Sequence, residues 1–318
     1  MYEIIHDNKS NCNLYLFTLP KQADAFYEAG RFAEALALLD RLCLVYPKNK
    51  TLVNARAKIH VRQGKPHVNA GWGKSSSLTP GSERKFAGMT FCWIPPGDFM
   101  MGSPENEKER VDFEGLRHRV TISKGFWLGK YPVTQDEWET VIGNNPSEYK
   151  GDGRRSVENV YWYDCQGFIQ QLNAESEDSF RLPSEAEWEY ACRAGTTTRF
   201  YWGGDLNESN IKDYAWHCDN CGGVTSPVGQ KRPNAWGLHD MSGNVKEWCE
   251  DDWHDSYAGA PTDGRAWVDS PRGSDRLSRG GSWWNSQRGC RSAQRYRYTP
   301  DDWNYGRIGF RLALPAVQ

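Results

Sequence analysis

The chain's densest chemistry lies near its C-terminus. It is framed by Arg279-Gly280-Gly281-Ser282-Trp283 and Ile308-Gly309-Phe310-Arg311-Leu312, with Cys290-Arg291-Ser292-Ala293 between them. Inside the frame stand Trp284, Ser286, Gln287, Gly289, Gln294, Tyr296, Tyr298, Thr299, Asp302, Trp303, Tyr305, Gly306 and Arg307. Tyr and Trp bring large contact area with few rotatable bonds, while Ser, Gln and Arg bring adaptable hydrogen bonds. Together they are the chemistry of recognition. Trp284, Tyr296, Tyr298, Trp303 and Tyr305 in strict alternation would form a strand face, but Pro300 and the Asp301-Asp302 pair interrupt any strand. The segment therefore reads as a long irregular loop region whose five aromatics share one exposed patch. Ordinary core aromatics are the competing reading.

Thiol and imidazole chemistry is thinner. Nine cysteines in 318 residues are too few for a disulfide scaffold, and the odd number leaves one unpaired. Cys218-Asp219-Asn220-Cys221 alone has metal-ligand spacing. With no second Cys or His pair near it in sequence, a structural turn is favoured over zinc. The seven histidines, at 6, 60, 67, 118, 217, 239 and 254, are scattered.

A net charge of −2 points to no field-driven role on nucleic acid or a membrane surface. No stretch approaches the 18 or so apolar residues of a transmembrane helix. The N-terminus lacks a basic start, an apolar core and a small-residue cleavage site, so cytoplasmic residence is the default expectation. Surface display would need an export signal that the chain does not carry. Thirty-one glycines and 15 tryptophans at 38% hydrophobic content suit a compact fold rich in irregular chain.

Positioning this chemistry calls for two parts. Residues 1–70 read as helical: Ala23, Phe26, Gly30, Phe32, Ala35, Leu39, Leu42 and Pro47 stand where a helix-turn-helix pair needs small or apolar residues. The pattern resembles a tetratricopeptide repeat, with Ala57 and Gly64 opening an incomplete second one. A plain αα-hairpin is the alternative. Gly, Ser, Lys and Pro over 71–85 mark a linker. From 86 to 318 short strands come first, at 91–94, 97–103, 120–122 and 126–129. A helix follows Thr134, with Glu137 closing a capping box. Another helix runs from about Trp162 to Ala174, and a third follows Ser184 with Glu187.

Several segments of this second part occur in order over roughly 86–314. They are Gly102-Ser103, Tyr131-Pro132-Val133-Thr134, Arg181-Leu182-Pro183-Ser184-Glu185-Ala186-Glu187-Trp188-Glu189 and Asn234-Ala235-Trp236-Gly237-Leu238. Met241-Ser242-Gly243-Asn244-Val245-Lys246-Glu247-Trp248, Arg279-Gly280-Gly281-Ser282-Trp283 and Gly309-Phe310-Arg311 follow. In combination they resemble the formylglycine-generating-enzyme, or sulfatase-modifying-factor, family. The resemblance implies an α+β, C-type-lectin-like fold with a small mixed sheet and long ordered loops.

It also implies a calcium site. The ligands would be the carbonyls of Gly243 and Val245 with Asp240 and Glu247, oxygen donors of the kind calcium prefers. A hydrogen-bonded turn brace is the other reading of Asp240 and Glu247. A second family site would involve Asn210 and Ile211, but no acidic partner is evident. The family's oxidases convert a substrate cysteine to formylglycine with a copper-binding cysteine pair between the Gly-Gly-Ser motif and the next Arg-rich segment. Here that interval is shorter and holds only Cys290, so no copper is expected. The branch resembling ergothioneine-type sulfoxide synthases needs three iron-binding histidines on an added helical domain, and residues 21–65 hold only His60.

What remains is a preserved frame with a rewritten interior. Related chains are Asn-rich there, and replacing the adenines of an Asn codon yields Tyr, Ser, Asp, Gly, Thr or Arg. Trp and Gln need other template codons. The pattern resembles a diversity-generating-retroelement variable protein, a non-catalytic scaffold binding a protein or carbohydrate ligand on its C-terminal face. A formylglycine-generating-type oxidase and a non-catalytic effector relative are the alternatives.

Overall fold

Helices begin where side chains can satisfy their first free amides. The computed structural model describes residues 78–203, 210–302 and 306–316. The chain divides into units Met1–Ser76 and Ser77–Gln318, and every described residue belongs to the second. The helical, tetratricopeptide-like expectation for 1–70 lies outside the described residues. So does the linker as far as residue 77.

Helix α1 (Gln135–Ile142) starts at Thr134, whose hydroxyl accepts the Glu137 amide while the Glu137 carboxylate accepts the Thr134 amide. Helix α3 (Glu185–Arg193) repeats the box with Ser184 and Glu187. Helix α2 spans Trp162–Glu175, and α4 is the short turn Ile211–Tyr214. All three sequence-expected helices are present within a residue or so of their expected bounds.

Strands β1 (Glu83–Phe86), β2 (Met89–Ile94), β5 (Phe126–Gly129) and β10 (Ala313–Pro315) form one sheet in the order β1-β2-β5-β10. Here β10 returns the chain's end antiparallel to β5, with Ala313 opposite Leu128. Strands β3 (Gly97–Met101) and β4 (His118–Ile122) make a two-stranded ribbon. A second four-stranded sheet, β8-β7-β6-β9, is built from Arg295–Tyr298, Arg276–Arg279, Lys246–Asp252 and Ile308–Phe310, with β6 and β9 parallel.

Two corrections follow. Strand β1 starts inside the stretch read as linker, so the folded unit begins earlier than residue 86. Strand β8 lies inside the segment read as non-periodic. Its Arg295-Tyr296-Arg297-Tyr298 pairs in register with β7, Leu277 opposite Arg297, and stops short of Pro300. Among the described residues the core has two main clusters. One packs α1 and α2 around Trp138, Phe168, Trp248 and Phe310. The other packs α3 around Trp188, Met241 and Leu277.

Candidate ligand-binding face

Four arginines hold the frame from beneath. Arg279, Arg291, Arg295 and Arg311 are each at most 1% exposed. Arg279 donates to the carbonyls of Ala293, Gln294 and Ser292 and pairs with Glu189 on α3. Arg291 grips Glu114 and Glu107, at 2.8 and 2.9 Å from Nη1. Arg295 pairs with Glu185 at 2.7 Å and donates to the carbonyls of Phe113 and His254. Arg311 is bidentate on Glu247, at 2.9 and 2.8 Å, and also reaches the Gly129 carbonyl. A buried charge that loses its partner costs about 3–5 kcal/mol, so these pairs fix where the chain between them can run.

Backbone tightness does the rest. Gly281 has φ +71°, and a Cβ there would stand 2.4 Å from the Gly289 carbonyl oxygen. The turn from 282 to 290 thus folds back on itself, closing in a 3-10 turn at Gln287–Cys290. The Trp283 indole donates to the Gly306 carbonyl at 2.6 Å and ties this turn to the loop that precedes β9.

On this floor the recognition residues divide. Trp284 is 56% exposed, and Ser286 and Thr299 are also exposed. Gln287, Tyr296, Tyr298, Asp302 and Arg307 are half-buried. The Arg307 guanidinium lies 4.0 Å from the centroid of the Trp284 ring, so the structure brings the two ends of the segment together. Trp303 and Tyr305 lie outside the described residues.

Three residues expected on the face prove internal. Gln294 is buried, accepting from Arg291 at 2.7 Å and donating to the Arg295 carbonyl, so it braces the frame. Gly289 and Gly306 are buried where a Cβ would strike Tyr296 and Tyr149 respectively. The five aromatics are accordingly not one fully exposed patch: Tyr296 bonds the Gly289 carbonyl at 2.9 Å, and Tyr298 packs on Trp248.

Lys246 was not singled out from sequence. It is buried, with its ammonium 5.0 and 5.5 Å from the Tyr296 and Tyr298 ring centroids, directly under the half-buried part of the face. Burial, with Arg307 adding to it, pushes its pKa down to about 7. The available signal was a lysine between Val245 and Glu247 inside the Gly-Asn-Val-Lys-Glu-Trp segment.

The residues expected to hold calcium fit it only in part. Asp240 is buried; one oxygen accepts the Gly229 amide at 2.8 Å and the other, Oδ1, has no partner. Burial pushes its pKa up to about 6. Gly243 and Val245 are buried beside it, Gly243 with φ +82° against the Trp216 carbonyl. Glu247, however, is committed to Arg311 and to the Trp188 indole at 2.7 Å, so its charge is already compensated. Asn210 is exposed at the residue before α4 and makes no side-chain capping bond, while Ile211 is buried.

Cys290 is fully buried. Its thiol points to the Ser286 carbonyl at 3.8 Å, and burial pushes its pKa up to about 12.

Comparison with known proteins places this geometry. Residues 76–316 match the model of the sulfatase-modifying factor enzyme 1-like domain. The chain is 36% identical over 278 residues to the formylglycine-generating enzyme of Bos taurus, covering 69% of this chain and 73% of that one. Among solved structures, PvdO from Pseudomonas aeruginosa superposes with a TM-score of 0.68 at 32% identity, covering 75% of this chain and 99% of that one. Treponema denticola variable protein 1 superposes at 0.66 with 29% identity, covering 74% and 99%.

Proposed function

Because the chain belongs to the family of sulfatase-modifying factor enzyme 1-like domains, and so has its C-type-lectin-like fold, we propose that it is a non-catalytic ligand-binding member. Its C-terminal surface is diversified by a retroelement. One observation carries this reading: the contrast of burial within a single segment. Arg279, Arg291, Arg295 and Arg311 are locked inside, while Trp284 stands out at 56% exposure with Arg307 across its ring. Such a floor tolerates exchange of the residues above it without loss of the fold. Likeness to a variable protein of Treponema denticola supports the same reading.

The ligand is a protein or a carbohydrate, met by Trp284, Ser286, Gln287, Tyr296, Tyr298, Thr299, Asp302 and Arg307, with Trp303 and Tyr305 between them in sequence. Nucleic acid is not a partner in this reading, given the near-neutral charge. Calcium is retained as a proposal resting on Asp240, the one expected side-chain donor with an open oxygen. Among the described residues no helix is long and apolar enough to cross a membrane.

The rival reading is a formylglycine-generating oxidase, since enzymes of that name are among the relatives. Copper(I) chemistry of that kind uses a thiolate pair. Cys290 stands alone in its interval, and its burial favours the neutral thiol. Incubating the full chain with a cysteine-containing sulfatase peptide, with and without copper, should give no aldehyde product by mass spectrometry. Turnover that vanishes in Cys290→Ser would overturn the reading in favour of the oxidase.

A further inference from the structure

Beside the face, the turn at residues 217–223 gathers donors that the ligand-binding reading does not use. From sequence, Cys218 and Cys221 lack a second ligand pair; in the folded chain His217 and Asp219 supply further donors. We propose that His217, Cys218 and Asp219 bind a divalent transition metal of the zinc class.

One ligand atom from each of His217, Cys218 and Asp219 lies within 4.8 Å of the others. The His217 Nδ1 is 3.6 Å from Asp219 Oδ2, and the Cys218 sulfur is 3.4 Å from Asp219 Oδ1. Metal bonds of about 2.0–2.3 Å require these donors to close by roughly an ångström at the widest gap. Among the described residues no other group of three such donors lies so close.

The backbone already holds the donors in place. The His217 carbonyl accepts the amides of Asn220 and Cys221, at 3.0 and 3.2 Å, making one helix-like turn that carries Cys218 and Asp219. Asn220 locks that turn, accepting the His217 amide at 2.8 Å and donating to the Ala215 carbonyl at 2.9 Å. Gly222 and Gly223, both with positive φ, then reverse the chain so that the Gly223 amide points at the Cys221 sulfur from 3.4 Å. His217 is buried and so fixed in direction, whereas Cys218 and Asp219 are exposed and open a path from solvent. A set of one nitrogen, one oxygen and thiolate sulfur suits zinc and its neighbours, not calcium.

The same turn is tied to the face. The Cys218 amide donates to the Asn285 carbonyl at 3.0 Å, and the Cys221 thiol to the Trp283 carbonyl at 3.2 Å, on either side of Trp284. Metal bound here stiffens the mount of Trp284, the most exposed aromatic of the face among the described residues. The site itself stands whether or not the ligand-binding reading does.

Cobalt(II) is the probe, because thiolate ligation gives it a charge-transfer absorption that carboxylate or imidazole ligation alone does not. The reduced full chain titrated with cobalt should develop that absorption to one equivalent and lose it on adding zinc. Cys218→Ser should abolish it, and Asp219→Asn should weaken cobalt binding. Both exposed positions leave the metal-free melting temperature unchanged, which separates loss of ligand from loss of fold. Cys12→Ser and Cys43→Ser, in the first unit, should bind as the parent does. Absence of thiolate-cobalt absorption in the parent chain, or its persistence in Cys218→Ser, overturns the site.

Discussion

Alanine at Phe310 and alanine at Trp284, two aromatics of one segment, should have opposite consequences for the fold. Phe310 is fully buried, 5.3 Å from the Phe168 ring and 6.0 Å from Trp138 between centroids. Truncating a buried phenylalanine costs about 3–5 kcal/mol. At about 2–4 °C per kcal/mol for a domain of this size, the melting temperature should fall by about 6–20 °C. Trp284 is 56% exposed, and its named partners are Arg307 over its ring and Trp283 at 5.6 Å. An exposed cation–π contact is worth about 0.5–1 kcal/mol, a shift of about 1–4 °C. Thermal unfolding followed by near-ultraviolet circular dichroism, which reports the packing of this tryptophan-rich unit, reads both variants in one buffer. The reasoning fails if Trp284→Ala melts as early as Phe310→Ala, because the exposed end of the segment would then be part of the core.

Two further outcomes test the interior. Burial, reinforced by the neighbouring Glu185, pushes the Asp251 pKa up from 3.8 to about 8. The folded state therefore holds a proton that the unfolded chain releases, and Asp251's contribution to stability falls as pH rises from about 4 to 8, by up to about 1.4 kcal/mol per unit. Denaturant titrations across that window should show a shallower decline in Asp251→Asn than in the parent, and equal slopes would contradict the assignment. Calcium binding at Asp240 should raise the melting temperature as free calcium increases, and Asp240→Asn should cancel the rise. A melting curve indifferent to calcium and chelator in the parent chain would remove calcium from the account.

Much of the fold is legible because its signals are local. Thr134 with Glu137 and Ser184 with Glu187 announce helix starts within four residues, and no distant partner is needed to read them. Strand β1 was hidden because only Phe86 of Glu83–Phe86 is buried, so hydrophobic alternation had nothing to report. Strand β8 is four residues long and exists through its register with β7, a tertiary contact that Pro300 downstream obscured.

Within the framed segment the exposure of Trp284 was legible, and the burial of several of its neighbours was not. Trp284 projects as its type suggested. Gln294 has the chemistry of a recognition residue, yet it is consumed by Arg291, whose position depends on Glu114 far away in sequence. The same holds for the four arginines, which by type belong on the surface. They lie inside because α3, the 107–114 segment and β6 bring carboxylates to meet them. Lys246 escaped notice for the converse reason: its neighbours Tyr296 and Tyr298 come from another strand.

Sequencing the gene's codons for 279–311 across a population, together with the adjoining DNA, tests the central claim most directly. The account predicts a nearby near-identical repeat and a reverse transcriptase gene, with substitutions confined to positions that are adenine in the repeat. Changes should gather at Trp284, Ser286, Gln287, Tyr296, Tyr298, Thr299, Asp302, Trp303, Tyr305 and Arg307, and spare Gly281, Arg291, Gly309 and Phe310. A segment that is invariant, or varies evenly over frame and face with no repeat alongside, would contradict it.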